Sequence, residues 1–182
     1  MSDTSAAPAS AMLAPSEALL RGFELAPEAA AAQASVELQL RQGFSVGSVN
    51  LMLRYEHGSE LTEVPAVHRL PHAPAWLLGM ANLHGALLPV FDLARLFNVA
   101  HKEGQRAMLL VLGHGADAAG VVIDGLPQRL RFDARNLSDP ALIPTALEPV
   151  VERAALVDGR LWFDLDVVAL LSALEQSINA AA

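Results

Sequence analysis

From residue 36 onward, apolar and polar side chains alternate with a period of two. Val36, Leu38, Leu40, Phe44 and Val46 are interleaved with Glu37, Gln39, Arg41 and Ser45, the spacing of a strand that buries one face. Gly47-Ser48 offers a two-residue turn, and Val49, Leu51, Leu53 and Tyr55 resume the alternation, so a hairpin is predicted. A loop is expected at residues 57–59, followed by a short strand or a helical turn over 60–64. Pro65, Pro71 and Pro74 impose an extended, irregular path. Residues 79–93 read as two short strands with a break between them. Gly79 lies at the start of this run, Gly85 allows the chain to turn, and Pro89, with no N–H for a ladder, suits an edge strand or a bulge. Asp92 is placed to cap a short helix ending at Phe97.

The second half continues the pattern. Residues 107–112 form a fully apolar strand, 113–117 a turn and 118–124 its partner. Over 128–133, Leu130 and Phe132 occupy one face and Arg129, Arg131 and Asp133 the other. Pro140, Pro144 and Pro149 make 134–149 a loop. Residues 150–157 and 160–163 are a closing pair of strands turning at Asp158-Gly159. Asp164 or Asp166 then caps a final helix through Leu174, with Leu165, Val168, Leu171 and Leu174 at helical spacing. Many short strands, Gly/Pro turns and one terminal helix predict a mainly β protein built as barrels.

Ahead of this pattern the composition changes. Residues 1–15 are rich in Ala, Ser and Pro, as flexible segments are. Ser16 is placed to cap a helix carrying Glu17, Leu19, Leu20 and Phe23, and Pro27 to open a second, Ala-rich helix ending near Gln33. The expected division is an arm over 1–35, a folded domain over 36–176 and a tail over 177–182.

Length and charge narrow the function. At 182 residues, 53% of them apolar but many of those alanine, the chain is long enough for a sizeable core. A net charge of −8, from twenty acidic and twelve basic residues, opposes binding to nucleic acid. The absence of cysteine excludes disulfides and thiolate metal sites. Residues 1–20 include Asp3, Pro8 and Pro15 with no basic residue before Arg21, unlike a signal peptide. The longest strongly apolar stretch, 107–112, is too short to span a bilayer. A cytoplasmic protein with no membrane insertion and no cofactor is expected.

Few residues suggest chemistry. Gly43-Phe44-Ser45-Val46-Gly47 matches the G-x-S-x-G nucleophile pattern, so a small serine hydrolase using Ser45 is an alternative reading. That motif needs a sharp strand-to-helix turn, whereas here alternation continues on both sides. His68 and His72 stand four apart, a metal-binding spacing on a helix, but Pro71 between them opposes a helix and no metal site is expected. Arg129, Arg131 and Arg135 are read as a solvated strand face, with a basic patch for an acidic partner as the alternative. Residues 113–120 lack the lysine and hydroxyl of a phosphate loop. Trp76, beside Leu77 and Leu78, is either core or the aromatic anchor of a docking patch.

The run Gly79-Met80-Ala81-Asn82-Leu83-His84-Gly85, continued by Pro89-Val90-Phe91-Asp92-Leu93, resembles the Gly-Val-Ile-Asn-Leu-Arg-Gly…Pro-Val-Ile-Asp-Leu signature of CheW-type chemotaxis adaptors. Residues 119–124 are similar to that family's Gly-Leu-Leu-Val-Asp strand, and 160–171 to its closing strand and helix. The resemblance covers about Phe44 to Leu174. It implies two small five-stranded β-barrels with short connecting helices and a C-terminal helix. It also implies a non-enzymatic adaptor linking a chemoreceptor's cytoplasmic tip to the regulatory domain of a CheA-type histidine kinase. Members acting in type IV pilus twitching systems, the PilI type, share the pattern.

The family's arginine is here His84, and its acidic partner position is held by Glu60. Histidine lacks the fixed charge and bidentate fork of arginine, so a weaker, pH-sensitive Glu60–His84 contact is expected. The apolar residue usual two positions before that acid is Gly58. By this resemblance Glu60, Asn82, Leu83 and His84 are the expected partner surface, and Trp76 is added to it on its aromatic character alone. Gly79, Gly85, Pro89 and Asp92 would shape the backbone beneath it.

Overall fold

A computed structural model describes residues 38–181. The helices expected after Ser16 and Pro27, the arm over 1–35 and the start of the first strand at Val36 lie outside the described residues. Within them the chain forms β1 (Gln39–Val46), β2 (Val49–Leu53), β3 (Gly58–Glu63), β4 (Val67–His68), β5 (Leu77–Leu83) and β6 (Ala86–Phe91). A four-residue helix α1 (Leu93–Leu96) follows, then β7 (Ala107–Leu112), β8 (Ala119–Asp124), β9 (Gln128–Phe132), β10 (Val151–Val157), β11 (Arg160–Leu165) and helix α2 (Val167–Ala181). The mainly β class predicted from the pattern is the one the chain adopts.

Local rules account for most of these elements. Gly47-Ser48 closes the β1–β2 hairpin between Val46 and Val49, and Asp158-Gly159 closes β10–β11 between Val157 and Arg160. Asp158 and Gly159 both take positive φ, +51° and +72°, which gives a two-residue turn the twist of its flanking strands. Asp92 caps α1 by accepting the Arg95 N–H at 3.1 Å. Asp166, not Asp164, caps α2, accepting from the Ala169 N–H at 3.0 Å. β3 begins at Gly58, so the loop expected at 57–59 is a 3-10 turn over Tyr55–His57 running into strand. α2 continues to Ala181, so residues 177–181 are helical where a tail was expected. It buries Val167, Leu170 and Leu174, with Leu171 half-buried; of the predicted stripe only Val168 faces solvent, its place on the core side being taken by Val167.

The strands form two sheets. One has the order β10-β11-β2-β1-β9, antiparallel except for β11 beside β2. The other has the order β3-β7-β8-β6-β5-β4, antiparallel except for β6 beside β8. Its sixth strand is the two-residue β4, which the Pro-rich stretch adds to the five expected. Each sheet curls around its own interior cluster. Met52, Leu130, Phe132, Ala155, Val157 and Trp162 fill the first, and Ala81, Leu88, Val90, Leu109, Val111 and Val122 the second. A third, larger cluster lies between the sheets and takes Phe44, Val46, Leu51, Leu53, Phe91, Leu110, Leu112, Val121, Ile123, Phe163 and Leu165 among others.

One strand departs from its predicted phase. Leu38 is 53% exposed, Leu40 is also open to solvent, and Arg41 is only 6% exposed. Even positions of β1 share the face of Phe44 and Val46, but at 38 and 40 that face has run past the edge of the shared core. Odd positions point into the first sheet's interior. There the Arg41 guanidinium makes a two-pronged ion pair with Asp164, Nε–Oδ1 2.8 Å and Nη2–Oδ2 3.0 Å. Arg153 Nε adds a third bond to Asp164 Oδ2 at 2.9 Å, and both arginines lie over the Phe132 ring.

Removing one member of this group leaves a buried carboxylate underpaired. Arg41→Met is therefore expected to lower stability by about 3 kcal/mol in chemical denaturation. A loss below about 1 kcal/mol would show that Arg153 alone suffices for Asp164.

Candidate functional site

The β5–β6 hairpin closes at the Leu83–Ala86 pair with His84-Gly85 as its turn, at φ +52° and +88°. Both residues are left-handed, as a type I′ turn requires, and histidine enters that region more readily than most side chains. Asn82 Oδ1 accepts the Gly85 N–H at 3.0 Å and locks the turn. A Cβ on Gly85 would meet nothing within 4 Å, so the turn projects into solvent.

At the base of the hairpin, Gly79 has φ +138° beside a β-bulge on its own strand, and a Cβ there would overlap the His68 carbonyl on β4. Pro89 lies on β6, an interior strand between β5 and β8, neither at the predicted edge nor in the bulge, which falls between Leu77 and Gly79 on β5. With Leu83–Ala86 hydrogen-bonded, alternation makes Met80–Pro89 a non-bonded pair, and pairing with β8 starts only at Val90. The missing N–H thus falls in a gap between two ladders.

Glu60 and His84 are brought together as the pattern suggested. Glu60 Oε1 lies 2.8 Å from His84 Nε2, although three strands separate β3 from β5 in the sheet order. The contact bridges the curl of the six-stranded sheet. It is open to water, His84 being 75% and Glu60 37% exposed, and such pairs add less than about 1 kcal/mol of stability.

Leu83 is turned inward, half-buried against the cluster of Ala81, Leu88 and Val90. The leucine presented to solvent is Leu87, at 68%. Asn82 opposes Leu87, and Met80 opposes Pro89, across the hairpin. Positions two apart share a face, so these four form one outward strip of apolar surface with Asn82 as its polar member. Counting outward from a two-residue turn at 84–85 places 87 beside 82 and opposite in phase to 83, the signal that could have found Leu87. Trp76 lies at the other end of β5 from the turn. It is half-buried with its ring 6.1 Å from Phe91, and its carbonyl accepts the N–H of the buried Asp92 at 2.8 Å.

The candidate nucleophile does not hold. Ser45 sits mid-strand in β1, paired with Asn50, and its hydroxyl is 3.1 Å from Asn50 Oδ1. The strand-to-helix elbow that the hydrolase alternative needs is not found at Ser45, whose hydroxyl meets an amide oxygen on the neighbouring strand. Gly43 of that motif is small because a side chain there would overlap Leu130 and Trp162. His68 lies on β4 and His72 in a turn at φ +59°, not on one helix face. No group of three or more His, Asp or Glu suited to a metal occurs among the described residues. No helix among them is long and apolar enough to cross a membrane.

Comparison with known proteins places this hairpin inside a recognised domain. The model of the CheW-like domain family matches residues 43–175. Chemotaxis protein CheW of Rhizobium meliloti is 32% identical over 94 residues, half of this chain and 61% of that protein's length. Protein FrzA of Myxococcus xanthus is 32% identical over 120 residues, 65% of this chain and 74% of its own. Among solved structures, the scaffolding protein TtCheW of Thermoanaerobacter tengcongensis shares the fold. It has a TM-score of 0.60 at 21% identity, over 70% of this chain and 88% of that one.

Two substitutions separate surface from scaffold. Glu60→Gln is expected to change unfolding free energy by less than about 1 kcal/mol. Gly79→Ala is expected to cost more than about 2 kcal/mol, because the added carbon meets backbone. Similar losses from both, measured by thermal or chemical melts, would contradict this assignment.

Proposed function

The chain belongs to the CheW-like domain family, and from this premise we propose that it is a non-enzymatic scaffolding adaptor of a chemosensory array. In this reading it couples a chemoreceptor's cytoplasmic tip to the regulatory domain of a CheA-type histidine kinase in the cytoplasm. The resemblance to PilI-type sequences extends the reading to pilus-motility systems.

The observation that carries the proposal is the outward strip on the β5–β6 hairpin. Leu87, Met80 and Pro89 offer apolar area, Asn82 a polar member, and the Glu60–His84 pair lies at the hairpin tip. Docking surfaces concentrate their energy in a few apolar anchors ringed by polar groups. Anchoring such a strip on a locked type I′ hairpin reduces the ordering entropy lost on binding. The mechanism is positional: a rigid body holds two partners, and signal passes as a change in their relative geometry. It requires no reactive side chain.

Titration of the full-length chain with the regulatory domain of a CheA-type kinase from the same genome tests this, with a receptor-tip fragment as second ligand. Saturable binding is expected with at least one of them. Leu87→Asp and Glu60→Lys should weaken it by about tenfold or more without altering the melt. His84→Arg should retain or strengthen binding, and a large loss would mean that histidine itself is required. Absence of binding to every such kinase and receptor tip would remove the coupling role. Self-association in that case would point to a scaffold that only dimerises or caps an array.

A further inference from the structure

The loop after α1 carries a histidine that neither the hairpin strip nor the core uses. His101 Nδ1 lies 2.6 Å from Asp124 Oδ1, and its Nε2 lies 3.1 Å from Asp92 Oδ1. Both carboxylates are buried, with side-chain exposures of 3% and 5%. Asp124 ends β8 of the six-stranded sheet, and its other oxygen accepts the N–H of Gly47 at 2.6 Å and that of Lys102 at 3.1 Å. Gly47 is the turn of the β1–β2 hairpin in the five-stranded sheet. A Cβ there would overlap the Ala100 carbonyl, so turn and loop are in direct contact. Asp92 follows β6 and caps α1. The ring therefore braces two carboxylates of the six-stranded sheet, one of which, Asp124, holds the turn of the five-stranded sheet through the Gly47 N–H.

We infer that His101 is a charged clasp at the joint between the two sheets, holding Asp124 in place to receive the Gly47 turn, built around the imidazolium form and loosened when that form loses a proton. The argument is one of hydrogen counting. An ionised carboxylate accepts but cannot donate, so both ring nitrogens must carry hydrogen to satisfy both contacts, and only the imidazolium does. A neutral ring leaves one contact as two facing acceptors and two buried anions without the cation between them.

The other charges nearby do not replace it. Arg95 of α1 is committed to Asp92, Nε–Oδ2 3.0 Å. Lys102 and Glu103 on the same loop are exposed, and the β1–β2 turn contributes only an N–H. Burial by itself would lower the pKa of His101, but the hydrogen bond to Asp124 and the charges of Asp92 and Asp124 outweigh it and raise the pKa above the ordinary 6.5. Burial pushes Asp124 up, and the N–H groups of Gly47 and Lys102, together with His101, bring it below the ordinary 3.8.

The signs follow. A group raised on folding contributes stability that is present below its unfolded pKa and lost as pH rises through the folded one; that is His101. A lowered carboxylate contributes above its unfolded pKa and loses that contribution as pH falls through the folded one; that is Asp124. The clasp is tightest between these limits and opens on the alkaline side.

Thermal melts of the full-length chain between about pH 6 and pH 9 test this. The native chain should lose about 2–4 °C over that interval relative to His101→Gln, which has no proton to lose. The second measurement needs no variant: nitrogen NMR of the native chain should find both ring nitrogens of His101 protonated at neutral pH. A neutral tautomer there, or the same pH slope in His101→Gln as in the native chain, would overturn the clasp.

Discussion

Strands β7 and β8 have almost no solvent side, and that constraint organises the molecule. All six residues of β8 are buried. Val121 and Ile123 face the core shared by the two sheets, while Val122 faces the interior of its own sheet. β7 divides in the same way, Leu110 and Leu112 to the shared core and Leu109 and Val111 inward. β2 and β11 mirror it in the other sheet, where Leu51, Leu53 and Phe163 face the shared core and Met52 and Trp162 the interior. Each large apolar side chain so buried contributes about 1.5–3 kcal/mol. A sheet that curls on itself and is packed by its neighbour collects that gain twice along one strand.

Double burial leaves little room for polar groups, and the fold places them where strands end. Arg41, Arg153 and Asp164 close the interior of the first sheet, and Asp92, His101 and Asp124 close the joint between the sheets. Among the described residues no buried side-chain nitrogen or oxygen lacks a partner. Such a body is suited to holding others in place: its buried charged groups are spent on one another, and its exposed apolar strip lies along a hairpin. Ser45 illustrates the point, its hydroxyl engaged by Asn50 rather than activated by a base.

Much of this was legible because the rules involved are local. A period of two gives a strand, Asp158-Gly159 a two-residue turn with positive φ at both positions, and Asp92 a helix cap. The contact between Glu60 and His84 was legible through resemblance, not periodicity. What escaped was phase. Leu83 and Leu87 are equally apolar, and only the turn at 84–85 decides which one solvent sees. Leu40 and Arg41 exchange their expected roles because the shared core stops short of them. Asp164 and Asp166 are both competent caps, but Asp164 is claimed by Arg41, 123 residues earlier in the chain. His101 gave no signal at all, since its two carboxylates lie 9 and 23 residues away and meet only where β6 and β8 run side by side.

The order of residues alone therefore determined the element types, the turns, the mainly β class and, through its motifs, the family. Each of these rests on neighbours a few positions apart, whose sterics and hydrogen bonds act before any distant contact forms. Tertiary structure decided which of two chemically equivalent residues is buried, which acids are paired and where the two sheets are fastened. These outcomes depend on where curled sheets end and meet, a property of the closed surfaces that no short window of sequence contains.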